Sequence, residues 1–109
     1  MHWIPLTNMV QLDDIIIRSK ETSQVIFKHS TRCSISVMAK DRLERAAFPT
    51  DLPFHYLDLL NHRDISNKIA ETFSVAHESP QILIIKKGEC VYDESHNGIR
   101  PEEILSYAS

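Results

Sequence analysis

The clearest candidate for chemistry in this sequence is Cys33, one of only two cysteines. It follows the short apolar run Val25-Ile26-Phe27, which fits a buried strand, and it lies where an amphipathic segment begins. In α/β proteins, ligands and chemistry collect beyond the carboxyl ends of the strands. The first turn of a helix also offers unpaired N–H groups and the positive end of the helix dipole, which stabilise a thiolate. We therefore predict that Cys33 is a reactive nucleophile; the alternative is a small buried apolar residue, as many free cysteines are.

Polar residues flank Cys33 on both sides: Ser30, Thr31, Arg32, Ser34 and Ser36. The hydroxyls supply hydrogen-bond donors or cap the helix, and Arg32 adds positive charge if its side chain turns inward. Ser36 stands at the position where a dithiol oxidoreductase carries its second cysteine. A serine hydroxyl can hydrogen-bond a thiolate but cannot displace a mixed disulfide. Chemistry at this site therefore needs an external thiol to complete its cycle.

The second cysteine, Cys90, follows the turn signal Lys87-Gly88 of a predicted hairpin. The intervening strand runs away from the active end of the sheet at about 3.3 Å per residue, which separates Cys90 from Cys33 by roughly 15 Å. A disulfide needs Cα atoms within about 7 Å of each other. We predict that Cys90 is a packing residue or an incidental thiol and does not pair with Cys33.

Three of the six histidines, His29, His77 and His96, are predicted near Cys33. A histidine beside a thiolate can raise its ionised fraction or shuttle a proton, although each of these can also be a surface or hydrogen-bonding residue. No segment shows the spacing of metal ligands, and we predict no metal site.

Composition excludes several function classes. The 109 residues include 12 basic and 15 acidic side chains, and their interspersed signs argue against nucleic-acid binding. Two glycines cannot form a glycine-rich dinucleotide or phosphate loop. The N-terminal residues show no secretory signal and the aliphatic runs are far shorter than a membrane span, so we predict a cytoplasmic protein without a membrane partner.

Strands and helices alternate along the sequence in the order β-α-β-α-β-α-β-β-α. Trp3 to Leu6 and Phe54 to Leu60 read as strands, and Asn8 and Asp64 are predicted N-caps of the first and third helices. The helix after Cys33 is predicted to bury one apolar face made of Ile35, Met38, Ala39, Leu43 and Ala46. Pro101 starts a final helix. This order predicts one domain over residues 1–109, a three-layer α/β/α fold with a mixed central sheet and a C-terminal β-hairpin.

A second marker is the segment His77-Glu78-Ser79-Pro80-Gln81, which precedes the apolar strand Ile82 to Ile85. A cysteine after one strand, a proline before a later strand and a terminal hairpin resemble the layout of the thioredoxin fold. The resemblance implies that the Ser79–Pro80 bond is cis and that Pro80 lies against Cys33.

The match extends to a family. The stretch Lys28-His29-Ser30-Thr31-Arg32-Cys33-Ser34-Ile35-Ser36, the segment His77-Glu78-Ser79-Pro80-Gln81 and the pair Ser95-His96 together resemble the monothiol bacilliredoxins, thioredoxin-like proteins of the bacillithiol system with a T-C-P-I-S-type motif. The resemblance implies a thiol–disulfide oxidoreductase that removes bacillithiol from protein mixed disulfides. Its partners would be bacillithiolated proteins, with bacillithiol as co-substrate and no bound cofactor.

In this family the single nucleophilic cysteine matches Cys33. The residues expected to tune its thiolate or bind substrate are Thr31, Arg32, Ser34, Ser36, Ser79, Pro80 and His96. Ser34 replaces the proline that commonly follows the family cysteine. Two alternatives stay open: a monothiol reductase for another small thiol, such as glutathione or coenzyme A, and a non-catalytic thioredoxin-like redox sensor or binding module.

Overall fold

Five strands form one mixed sheet in the computed structural model, which describes residues 2–109. The strands are β1 (Trp3–Pro5), β2 (Gln24–His29), β3 (Phe54–Asp58), β4 (Gln81–Lys86) and β5 (Glu89–Ser95). Their spatial order is β1-β3-β2-β4-β5, with β1, β3 and β2 parallel and with β4 and β5 antiparallel to their inner neighbours. The predicted mixed sheet with a C-terminal hairpin is confirmed.

Within residues 2–109, four α-helices cover the two faces of this sheet: α1 (Met9–Arg18), α2 (Ser34–Arg45), α3 (Arg63–Phe73) and α4 (Pro101–Ala108). One apolar core joins α1 and α3 to one face, and a second joins α2 and α4 to the other. No helix among residues 2–109 is long and apolar enough to cross a membrane.

Of the two predicted helix N-caps, one is confirmed and the other is wrong. Asn8 caps α1 as predicted, since its Oδ1 accepts the Gln11 N–H at 3.0 Å while Gln11 Oε1 accepts the Asn8 N–H at 3.1 Å. The prediction of Asp64 as the cap of α3 is wrong. The helix begins at Arg63 after His62, so Asp64 lies within the first turn, where its negative charge favours the helix dipole.

The buried face of α2 also differs from the prediction. Ala39 and Leu43 are buried as expected, but Ile35 and Met38 are 39% and 61% exposed. Ser36 takes the core position one turn before Ala39 and has no exposed surface. The apolar spacing predicted the wrong buried face for α2, because it does not show that the Ser36 hydroxyl has hydrogen-bond partners in the interior. Ala46 follows the end of the helix and is half-buried.

The hairpin between β4 and β5 turns through Lys87 and Gly88, whose φ angles are 53° and 79°. Two positive φ angles are what a two-residue hairpin turn requires, and glycine adopts them without strain. The second strand of the hairpin extends to Ser95. Its far end therefore returns to the start of β4, where Ser95 pairs with Gln81.

Candidate active site

Cys33 lies in the loop that joins the carboxyl end of β2 to α2, as predicted. Its backbone is extended and forms the N-cap of α2, and its carbonyl accepts the Val37 N–H at 3.0 Å. Its N–H donates to Ser30 O at 3.2 Å, which closes residues 30–33 into a tight turn, here called the cysteine loop. The thiol is free and half-buried, and it makes no cap hydrogen bond to the helix. The N–H groups of the first turn are thus available to a thiolate or to a substrate sulfur.

Ser36 ties the cysteine loop to β2. Its Oγ accepts the Ser30 N–H at 3.0 Å and lies 2.6 Å from His29 Nδ1. His29 is buried, stacks on Phe27 and contacts Tyr56, and burial lowers its pKa, with a further decrease from Lys40. A neutral ring can accept a hydrogen bond at Nδ1, so all three groups are satisfied when the Ser36 hydroxyl donates to His29.

Residues 76–80, here called the proline segment, lie beside the same end of β2. This position follows from the antiparallel pairing of β2 with β4, in which Lys28 is opposite Gln81. The Ser79–Pro80 peptide bond is cis. The Ser79 Oγ is buried and has no hydrogen-bond partner among the described residues.

The end of β5 holds the proline segment from one side. Pro80 O accepts the His96 N–H at 3.0 Å, and the Glu78 carboxylate accepts a hydrogen bond from the Ser95 hydroxyl. His96 is exposed and has a left-handed φ of 54°. The structure therefore brings Ser79, Pro80 and His96 to the end of the sheet where the cysteine loop lies.

The remaining sequence candidates are exposed around Cys33: Thr31, Arg32 and Ser34. Three apolar side chains of α2 are also exposed. Among residues 2–109 no group of three or more histidine, cysteine or acidic side chains could hold a metal ion.

Cys90 belongs to a different part of the molecule. It lies on β5 opposite Ile85, next to a β-bulge, and packs against the core beneath α1 and α3. Its Sγ donates to Tyr92 O at 3.3 Å, and burial raises the pKa of this thiol to about 11. Such a thiol is almost entirely protonated at neutral pH and is a poor nucleophile.

Lys28 is a buried residue that the sequence reasoning missed. It has no exposed surface, and its Nζ lies 3.2 Å from Ser66 O and 3.3 Å from His77 Nδ1. The available signal was the position of this lysine directly after the apolar run Val25-Ile26-Phe27, two residues after Ile26 on the same face. The sequence does not reveal its partners, which are 38 and 49 residues away.

The fold, together with a free thiol at the start of α2, defines a thiol redox protein of the thioredoxin-fold class. A solved structure described as a candidate oxidoreductase with a thioredoxin fold is 29% identical, with a TM-score of 0.86 over 98% of this chain and 94% of that one. Thioredoxin from Fasciola hepatica is 19% identical, with a TM-score of 0.78 over 97% of this chain and 99% of its own. Reduced thioredoxin preprotein from Schistosoma mansoni is 20% identical, with a TM-score of 0.70 over 100% of both chains.

The family model described as monothiol bacilliredoxin BrxC matches residues 4–104. The chain belongs to this family, as the resemblance of its motifs implied.

Proposed function

We propose that the protein is a monothiol thiol–disulfide oxidoreductase that removes bacillithiol from protein mixed disulfides, with Cys33 as its nucleophile. The observation that carries the proposal is the free Cys33 thiol at the start of α2, with the Ser36 hydroxyl where a second thiol would otherwise stand. The raised pKa of the half-buried Cys90 thiol supports the same view, because that thiol is unsuited to resolve an adduct.

The first step is attack of the Cys33 thiolate on the bacillithiol sulfur of the mixed disulfide. A sulfur–sulfur bond forms between Cys33 and bacillithiol, the original disulfide breaks, and the target protein leaves as a thiolate that takes a proton from water. In the second step a bacillithiol thiolate attacks the adduct, releasing bacillithiol disulfide and restoring the Cys33 thiolate. In the net reaction one free bacillithiol sulfur is oxidised and one protein sulfur is reduced, while the bacillithiol sulfur of the mixed disulfide stays at the disulfide level and ends in bacillithiol disulfide; no bound cofactor is needed.

The surrounding residues have distinct proposed functions. Arg32 and Thr31 are exposed beside the thiol and stabilise its charged form or the small-thiol adduct. Ser34 stands in the first turn of α2, where the family commonly has proline, and Ser36 orients the cysteine loop through His29 and Ser30.

At the same end of the sheet, the backbone of Ser79 and Pro80 pairs with the substrate, and the exposed His96 adjoins this segment through its hydrogen bond to Pro80 O. The reducing cytoplasm is the compartment that suits a free reactive thiol.

The test uses a bacillithiolated model protein, excess bacillithiol and intact-protein mass spectrometry. Wild type and the Cys90→Ser variant should release the target and pass through a bacillithiol adduct on Cys33, whereas Cys33→Ser should do neither. Full activity of Cys33→Ser would contradict the mechanism, and equal loss in both variants would contradict the proposed inertness of Cys90.

The same assay separates the alternatives. Parallel reactions with glutathione and coenzyme A adducts test the identity of the small thiol, since a faster reaction with either would replace bacillithiol in the proposal. A stable adduct on Cys33 that excess bacillithiol fails to release would instead indicate a redox sensor.

A further inference from the structure

A polar cluster lies beneath the proline segment, on the face of the sheet opposite the cysteine loop. It consists of three buried residues, Lys28 on β2, Ser66 on α3 and Gln81 on β4, and of His77 in the proline segment, which is exposed. Lys28 and Gln81 are cross-strand partners, so their side chains share the face that α3 covers. The other buried residues on this face form an apolar core, so the cluster is a polar group within an otherwise apolar layer.

Each member of the cluster contacts the proline segment or a residue that does. The Lys28 Nζ lies 3.3 Å from His77 Nδ1, and Ser66 Oγ lies 3.0 Å from the same nitrogen. The Gln81 amide donates to Ala76 O at 3.0 Å, while its buried Oε1 has no partner among the described residues. Two neighbouring residues of the proline segment, Ala76 and His77, are therefore held by hydrogen bonds to the cluster.

The charge on Lys28 determines the form of His77. Burial lowers the pKa of Lys28 to about 8, so the side chain is mostly an ammonium at neutral pH. An ammonium has only donors, which makes His77 Nδ1 the acceptor and leaves the ring proton on Nε2. Burial also lowers the pKa of His77, with a further decrease from Lys28, which favours this neutral ring. The other charged groups acting on His77 are Arg63 and Glu78.

An ammonium in this position works against stability. Its two hydrogen-bond partners are neutral, and no described acidic side chain forms an ion pair with it. Burying a charge without an opposite charge is costly, and an apolar side chain of similar length often replaces such a group without loss of stability. Stability alone therefore does not account for this lysine.

We propose that Lys28 is a positioning residue, which acts through His77 to hold the proline segment where it receives the substrate disulfide beside Cys33. The inference rests on the proposed function, because the segment matters only if a substrate binds along it. Lys28 touches neither the substrate nor the reacting sulfur. Its effect reaches the site through the backbone of residues 76–80.

The experiment compares Lys28→Met with wild type and with Lys68→Met, which makes the same change at an exposed position of α3. Lys28→Met should raise the KM for a bacillithiolated model protein about tenfold, as expected for loss of a charge-assisted hydrogen bond, while Lys68→Met leaves it unchanged. The midpoint of urea unfolding should stay the same or rise in Lys28→Met. Reaction of Cys33 with iodoacetamide should stay within about twofold, because this small reagent does not need the proline segment.

Two outcomes overturn the inference: an unchanged KM in Lys28→Met, or a KM increase matched by an equal fall in the iodoacetamide rate. The second would mean that Lys28 acts on the thiol itself. Wild type without any turnover would contradict the proposed function instead. In that case hydrogen exchange of the His96 N–H, which binds Pro80 O, still reports on the segment and should be faster in Lys28→Met.

Variants of His77 test the same contact if Lys28→Met does not fold. His77→Leu removes the acceptor and should raise KM by a similar factor, whereas His77→Asn keeps an acceptor near the Nδ1 position and should retain most of the activity. Adding Lys28→Met to His77→Leu should have little further effect, because both changes remove one interaction. Independent, additive effects of the two changes would contradict the coupling.

Discussion

Replacing Ser36 by alanine removes one oxygen atom that two neighbours use at once. The Ser30 N–H loses its acceptor at 3.0 Å, and His29 Nδ1 loses its partner at 2.6 Å. His29 is buried, so its nitrogen stays unsatisfied at a cost of about 1–3 kcal/mol. Ser30 is half-buried, so its N–H can form a hydrogen bond with water instead, and the loss of the Ser36 acceptor there costs about 1 kcal/mol. The free energy of unfolding should therefore fall by about 2–4 kcal/mol.

The assay is urea unfolding of Ser36→Ala beside Ser34→Ala, which removes an exposed hydroxyl two residues earlier in the same helix. The control should change the free energy of unfolding by no more than about 0.5 kcal/mol. Ser36→Ala should also lower kcat/KM for the mixed disulfide by about tenfold, because the cysteine loop loses its tie to β2. A stability loss no larger than that of Ser34→Ala would refute the bridging function of Ser36.

Two further predictions follow from the shifted pKa values of Cys90 and His55. At pH 8 iodoacetamide should label Cys33 and spare Cys90, because a pKa of about 11 leaves only about a thousandth of the Cys90 thiol ionised; equal labelling by mass spectrometry would contradict this. Burial lowers the pKa of His55 to about 4 from 6.5. As the pH falls, the imidazole therefore takes up a proton in the unfolded chain before it does so in the folded one. The free energy of unfolding should fall by about 3 kcal/mol between pH 6.5 and pH 4. His55→Gln, which can still bond Gln24, should make the urea midpoint less dependent on pH over that range, and an unchanged dependence would contradict the assignment.

Features encoded by short stretches of sequence could be predicted. The alternation of apolar runs with helical periodicity gave the order of the elements, and Asn8 and Lys87-Gly88 gave a helix start and a hairpin turn. The strand-to-helix junction also gave the position of Cys33. The end of β3 was predicted two residues late, because the apolar Leu59 and Leu60 continue the pattern after the chain turns. That turn is closed by Asp58, whose carboxylate accepts the Leu60 N–H at 3.2 Å.

Features that depend on distant partners could not be predicted. Serine and lysine are ordinarily solvent-exposed, and only tertiary contacts make their burial tolerable. The hydroxyl of Ser36 is satisfied by the end of β2, and the ammonium of Lys28 by α3 and the proline segment. For the same reason Met38 was predicted to lie in the core. Apolar spacing alone does not show that the hydrogen-bonded Ser36 takes the buried position and leaves Met38 exposed.

The two supports of the candidate site come from consecutive residues of β2. Side chains alternate across a strand, so Lys28 points to the α3 face and His29 to the α2 face. On one face His29 holds the cysteine loop through Ser36, and on the other Lys28 holds the proline segment through His77. The cysteine loop and the proposed binding segment are thus held by two consecutive residues of a central strand, one residue for each. Since the supports lie on opposite faces, Ser36→Ala and Lys28→Met should act additively on kcat/KM, and strong coupling between them would indicate a shared path.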